Sequence, residues 1–70
     1  MKLSARNQIK GKVCEIKPGA VNSIVTLDVG NGTKITASIT MESAQNLGLK
    51  VGDEAYAIIK ATSVMIGTEG

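Results

Sequence analysis

The sequence predicts an all-β domain, a small five-stranded OB-like antiparallel barrel with one short helix between strands 3 and 4. Three observations favour this fold. Apolar and polar residues alternate along several short segments, which is typical of half-buried strands. The Asn-Gly step at residues 31–32 supplies the positive φ values of a tight hairpin turn. A helix-capping pattern follows the third segment, and closure of the sheet protects its hydrophobic edges.

The first three strands are predicted over residues 7–16, 21–29 and 33–40. Imperfect alternation in the first strand leaves a weak point at Gly11, where we expect a bulge or a bend. A Lys-Pro-Gly turn at residues 17–19 separates the first strand from the second. The hairpin turn joins the second strand to the third.

The helix is predicted between Thr40 and Gly48. Thr40 is the expected N-cap residue, Ser43 occupies the third helical position, and Gly48 ends the helix. The fourth strand is predicted over residues 54–61, where apolar side chains on both faces suit a subunit interface. A fifth short strand is predicted over residues 64–66.

The composition predicts one small domain, residues 1–70, that is stabilised by assembly. The chain has no Phe or Trp and a single Tyr, so the core must be aliphatic. With one cysteine and no histidine, neither a disulfide nor a zinc site can stabilise it. Because the aliphatic residues exceed what a lone small core needs, we expect a homo-oligomer.

The charge balance favours a small ligand. A net charge of +2 suits a small anion better than a long polyanion. Nucleic-acid-binding proteins usually carry a strong basic stripe, and those that bind single strands add aromatic stacking platforms. A weak polyanion patch formed by Lys2, Lys10, Lys12 and Lys17 is an alternative, although such lysines usually form a solvated strand face.

Catalysis, secretion and membrane insertion find no support in the sequence. The six carboxylates are scattered, and there is no histidine to act as a general base. Cys14 has no second cysteine nearby and is expected to be a buried structural thiol. No stretch approaches the ~20 apolar residues of a membrane span, and no apolar run marks a secretion signal. A single cysteine fits a reducing compartment, so we expect a cytoplasmic protein that is not an enzyme.

Two segments near the ends of the chain concentrate hydrogen-bond donors. Arg6 offers a planar fork of donors and Lys60 a compact ammonium group. Ser4, Asn7 and Thr62 add neutral donors. If the fold brings the segments together, they form a pocket suited to an oxygen-rich anion. The alternative is a solvated N-terminal arm and an ordinary lysine at a strand end.

The start of the helix is a second source of donors. Free backbone N–H groups near Thr40 and Ser43 can join Arg6 and Lys60 around one ligand. Alternatively, Thr40 and Ser43 only cap the helix. Because the two ends of one small barrel need not meet, we also expect Arg6 from one subunit and Lys60 from another.

Three motifs resemble a known family. The chain is similar to the molbindins at Ser4-Ala5-Arg6-Asn7-Gln8, at Gly11-Lys12-Val13, and at Lys60-Ala61-Thr62 followed by Val64-Met65. Molbindins are small molybdenum-binding proteins. Related molybdate-binding modules occur on molybdate-responsive transcription regulators and molybdate-importer ATPases. The likeness covers nearly the whole chain.

This resemblance implies a ligand and an assembly. It implies a single Mop/TOBE domain that binds molybdate or tungstate between the subunits of a hexamer, a trimer of dimers, for intracellular molybdenum storage or homeostasis. The contacts implied by position are Ser4, the backbone of Ala5, Arg6, Thr40, Ser43, Lys60 and Ala61. Many relatives have serine at the last of these positions. Alanine removes that side-chain hydroxyl and leaves only a backbone N–H as donor.

The chemistry of molybdate fits these residues. At neutral pH molybdate is a fully deprotonated tetrahedral dianion, which accepts hydrogen bonds and donates none. Its ideal pocket contains only donors, and bonds from charged donors are the strongest. From the residues alone, two other functions stay open, an OB-type nucleic-acid-binding module and an oligomeric scaffold without a ligand.

Overall fold

A computed structural model describes residue 1 and residues 3–70 of the chain. Its elements are, in chain order, β1 (Asn7–Pro18), β2 (Asn22–Gly30), β3 (Thr33–Thr40), helix α1 (Met41–Leu47), β4 (Glu54–Ile59) and a 3₁₀ helix (Ala61–Ser63). The four strands form one antiparallel sheet in the order β3-β2-β1-β4, which curls into a half-barrel. The predicted OB-like all-β class, with a short helix between strands 3 and 4, is confirmed.

Strand β1 joins the two halves of the sheet. Its first half pairs with β4, beginning where Asn7 lies opposite Ile59. Its second half pairs with β2 and ends where Pro18 lies opposite Ser23. The last strand of the chain is therefore a direct neighbour of the first, and the β2–β3 hairpin packs beside the other half of β1.

A β-bulge interrupts β1 at Cys14, and not at Gly11 as predicted. The register between β1 and β2 shifts at this point, which leaves Cys14 as an extra residue. The thiol is exposed and donates a 3.4 Å hydrogen bond to the backbone oxygen of Thr26, so the prediction of a buried thiol is wrong. Gly11 instead allows β1 to pack closely against Asp28 in β2, since a Cβ at Gly11 would lie 2.9 Å from the backbone oxygen of Asp28.

The core is small and aliphatic, as the composition predicts. Val13, Val25 and Leu27 are buried. Partly buried side chains pack around them, namely Ile16, Val29, Ile39, Leu49, Ala55 and Ala57. Beside this core lies an open apolar groove of about 290 Å³. One protomer therefore leaves part of its apolar interior uncovered.

Local sequence determines the hairpin and the helix as predicted. Asn31 and Gly32 have φ values of 54° and 77°, which the tight turn between β2 and β3 requires. The hydroxyl of Thr40 accepts a hydrogen bond from the backbone N–H of Ser43 at 3.0 Å. Gly48 adopts the left-handed conformation, with φ 62°, and ends α1.

The fifth strand predicted at residues 64–66 does not form within the described chain, and this prediction is wrong. Strand β4 ends at Ile59, before the predicted end at residue 61, because the chain then turns into the 3₁₀ helix. The following segment pairs with none of the described strands, and Met65 is 91% exposed. A single protomer therefore forms a four-stranded half-barrel and not the closed five-stranded barrel that was predicted.

Candidate functional site

One end of the β1–β4 strand pair brings the predicted donor segments together. Since Asn7 pairs with Ile59, the residue before β1 and the residue after β4 leave the sheet side by side. These residues are Arg6 and Lys60. They line a pocket of about 360 Å³, here called the corner pocket, together with Ser4, Ala5, Ala61 and Thr62. One protomer supplies both cations, contrary to the expectation that two subunits share them.

The lining of the corner pocket is rich in donors. The guanidinium of Arg6 and the ammonium of Lys60 supply positive charge, and Ser4 and Thr62 supply hydroxyl groups. None of the six lining residues is acidic. The ion pairs found among the described residues do not involve Arg6 or Lys60. The two cations are therefore free to bind an external anion.

The 3₁₀ helix holds one wall of the corner pocket. The backbone N–H of Ser63 donates to the carbonyl oxygen of Lys60 at 2.9 Å. The backbone N–H of Val64 donates to the carbonyl oxygen of Ala61 at 3.3 Å. The first N–H groups of a helix have no acceptor within it. The backbone donors of Ala61 and Thr62 are thus left for another acceptor, even though Ala61 lacks a hydroxyl.

Asn7 and Gln8 each donate to a backbone carbonyl group beside the pocket. The Nδ2 group of Asn7 donates to the carbonyl oxygen of Ile59 at 3.2 Å. The Nε2 group of Gln8 donates to the carbonyl oxygen of Ala5 at 3.1 Å. Asn7 thus donates to the backbone in this protomer, and its role as a donor for the anion stays a prediction. Sequence reasoning missed its actual partner because that partner lies 52 residues away along the chain.

Thr40 and Ser43 lie near the opposite end of β1. Thr40 pairs with Asn22, beside the place where β1 ends at Pro18. A strand of 12 residues spans roughly 35 Å from end to end. The Thr40 hydroxyl donates to the Ser43 hydroxyl at 2.9 Å and accepts from its N–H at 3.0 Å. Within one protomer both residues cap α1 away from the two cations, and their contact with a shared ligand stays a prediction.

The lysines of the predicted polyanion patch are partly neutralised. Lys10 pairs with Glu54 at 3.3 Å, and Lys17 lies 3.8 Å from Glu15. Lys2 lies outside the described residues. This arrangement favours a solvated strand face over a surface for a polyanion.

Among the described residues, no three Cys, His, Asp or Glu side chains come together as potential metal ligands. None of the helices in the described part of the chain has the length and apolar character needed to cross a membrane.

Comparison with known proteins places the chain in a family. The TOBE domain model matches residues 3–66. The "Probable molybdenum-pterin-binding protein" of Haemophilus influenzae is 55% identical, and the match covers 99% of this chain and 100% of that protein.

Solved structures agree with this match. MopII from Clostridium pasteurianum superposes with a TM-score of 0.90 and 46% identity, covering 96% of this chain and 100% of MopII. The cytoplasmic molybdate-binding protein ModG, in a form with molybdate bound, superposes with a TM-score of 0.82 and 51% identity over 87% of this chain and 43% of ModG. The chain therefore belongs to the TOBE-domain family and, within it, to the molybdenum-pterin-binding (Mop) proteins, or molbindins.

Proposed function

We propose that this protein binds molybdate, and tungstate as its close chemical analogue, in the corner pocket. It acts in intracellular molybdenum storage or homeostasis and is not an enzyme. The observation that carries this function is the lining of the pocket, where Arg6 and Lys60 converge with two hydroxyl groups and no carboxylate. Such a lining is complementary to a small, fully deprotonated anion.

The donor-only lining also selects among anions. Molybdate and tungstate accept hydrogen bonds at all four oxygens, so every donor of the pocket finds a partner. Phosphate keeps a proton for part of the time at neutral pH, and that proton requires an acceptor. Among its side chains, the lining offers this proton only the hydroxyl oxygens of Ser4 and Thr62, so we expect it to be satisfied less well than the donors are by molybdate.

The relatives support the same ligand class. ModG is described as a cytoplasmic molybdate-binding protein, and its structure holds molybdate. The Haemophilus influenzae and Clostridium pasteurianum proteins carry molybdenum-pterin-binding names. We extend molybdate binding and a cytoplasmic location to this chain, which a single free cysteine also suits.

A second protomer is proposed to complete the site. Within one chain, Thr40 and Ser43 lie far from the corner pocket, so they reach a bound anion only from a neighbouring protomer. Ser4, the backbone of Ala5 and Ala61, Arg6 and Lys60 make the remaining contacts. The anion then lies at a subunit interface.

The open half-barrel supports assembly into a homo-oligomer, which we propose to be a hexamer built as a trimer of dimers. Three buried hydrophobic residues are few for a domain that is stable alone. The apolar groove is uncovered, and Met65 and Ile66 are 91% and 89% exposed. Exposed apolar surface of this kind is typical of protein–protein contacts.

Equilibrium dialysis tests the ligand. The purified protein is dialysed separately against molybdate, tungstate and phosphate, and the bound element is measured by elemental analysis. We expect saturable uptake of molybdate and tungstate and much weaker uptake of phosphate. No uptake of molybdate contradicts the function, and equal uptake of phosphate contradicts the donor-only pocket.

A further inference from the structure

We propose that Asn7 and Gln8 are positioning residues that keep two backbone carbonyl oxygens from facing the corner pocket. Each amide side chain engages one backbone carbonyl group beside the pocket. A carbonyl oxygen that faces a bound dianion repels it, because the oxygen carries partial negative charge. This role rests on the proposed function and concerns the wall of the pocket rather than the anion contacts themselves.

Asn7 acts on the segment of the pocket lining that carries Lys60. Its Nδ2 group donates to the carbonyl oxygen of Ile59 at 3.2 Å, and Ile59 directly precedes Lys60. Asn7 itself directly follows Arg6. The bond therefore ties together the two backbone positions from which the cations extend. It also gives the Ile59 carbonyl a partner at the last pair of the β1–β4 ladder.

Gln8 acts on the segment of the lining that carries Ala5 and Arg6. Its Nε2 group donates to the carbonyl oxygen of Ala5 at 3.1 Å, and Ala5 lines the pocket. In a planar trans peptide the C=O and N–H bonds point in opposite directions. Directing the Ala5 carbonyl towards Gln8 thus directs the N–H of Arg6 away from Gln8. A single hydrogen bond removes an acceptor and orients a backbone donor.

The amide side chain is suited to this task. It can donate to a carbonyl while remaining neutral, whereas a carboxylate can only accept when ionised. A lysine or arginine could also donate, but it would add a third charge beside the two cations. Two consecutive amides after Arg6 therefore complete the pocket without changing its charge.

The test compares molybdate and phosphate affinities in Asn7→Leu and Gln8→Met, which remove the donors with little change in size. Asn22→Leu and Gln45→Met are matched controls, because they make the same changes at exposed positions that do not line the corner pocket. Each lost bond should weaken molybdate binding about 2- to 12-fold. Phosphate should lose less, since a freed carbonyl accepts its proton, so the ratio of the two affinities should fall.

That ratio separates positioning from a merely structural role, which would weaken both anions equally. If the ratios of molybdate to phosphate affinity in both variants equal those of the matched controls, the positioning role is overturned. The proposed function then still stands, provided that the wild-type protein binds molybdate normally. Absence of molybdate binding by the wild-type protein overturns both. Should Asn7→Leu fail to fold, the exposed Gln8 position decides through Gln8→Met, and an unchanged ratio there overturns the role.

Discussion

The two ends of β1 carry similar polar residues and use them in opposite ways. At its start, hydroxyl and cationic side chains surround a pocket, and among the described residues the ion pairs leave Arg6 and Lys60 unengaged. Near its other end, the hydroxyls of Thr40 and Ser43 bind each other and the first turn of α1. Within one protomer, Thr40 and Ser43 thus already have a partner in α1 before any ligand binds, whereas Ser4 and Thr62 line an open pocket.

The difference has a physical origin in the neighbouring backbone. Helix α1 has unpaired N–H groups at its first turn, and Thr40 is placed to accept from one of them. At the corner pocket, the side chains of Asn7 and Gln8 satisfy carbonyl groups and leave donors in excess. The hydroxyls at one end are therefore paired within the protomer, and the other end keeps exposed donors that a ligand can use.

The largest expected effect is the loss of a cation at the corner pocket. Removing one charged partner of a desolvated dianion costs roughly 2–5 kcal/mol. We expect Arg6→Ala or Lys60→Ala to reduce molybdate affinity by this amount while the fold, measured by circular dichroism, is retained. Lys34→Ala is the matched control, because Lys34 lies in the β2–β3 hairpin region and does not line the pocket. Near-normal molybdate affinity in both pocket variants would show that the anion binds outside the corner pocket.

The next effect is stabilisation by the anion. A ligand that binds only the assembled state stabilises it by about 2.7 kcal/mol per site at a hundredfold excess over Kd. Molybdate should raise the melting temperature and oppose dissociation on dilution, whereas phosphate at the same concentration should have little effect. Differential scanning calorimetry and sedimentation of dilute protein measure these changes. Molybdate binding that leaves dissociation on dilution unchanged would show that the pocket does not depend on assembly.

A smaller effect is expected at the other end of β1. Thr40→Ala should lower the free energy of unfolding by about 1 kcal/mol in the absence of any anion, because the N-cap acceptor is lost. Thr40→Ser retains the acceptor and should be close to wild type. Urea unfolding measures both variants. Equal stability of Thr40→Ala and Thr40→Ser would mean that capping is not the role of this hydroxyl.

The smallest effect is expected at Ala61. A serine there adds one neutral donor to the corner pocket, and such a bond contributes about 0.5–1.5 kcal/mol. Ala61→Ser should therefore tighten molybdate binding by no more than this amount, as measured by isothermal titration. A loss of affinity would indicate that the pocket closes around the methyl group.

The features that sequence predicts well are those with local causes. The positive φ angles of Asn31 and Gly32 follow from the residue types at a hairpin turn. The caps Thr40 and Gly48 define α1 in the same way. Both elements depend on residues only a few positions apart, so propensity and spacing suffice to locate them.

The features that sequence misses depend on distant pairing. The bulge at Cys14 follows from the register of β1 against β2, which no residue of β1 fixes alone. The apolar residues 64–66 favour a strand, but their pattern does not say what they pair with. The corner pocket requires the two ends of the chain to meet, which the sequence alone leaves open. Pairing of β1 with β4 brings them together.

The pairing of β1 with β4 also fixes when the pocket can form. Asn7 and Ile59 are separated by 52 positions, so nearly the whole chain must be synthesised before they meet. Closing a flexible loop of this size costs roughly 3–4 kcal/mol of chain entropy, and such long-range contacts slow folding. The β2–β3 hairpin can form while the ribosome is still translating the chain, but the two cations come together only after residue 60 has emerged. The corner pocket therefore forms only after β4 has paired with β1, later than the β2–β3 hairpin.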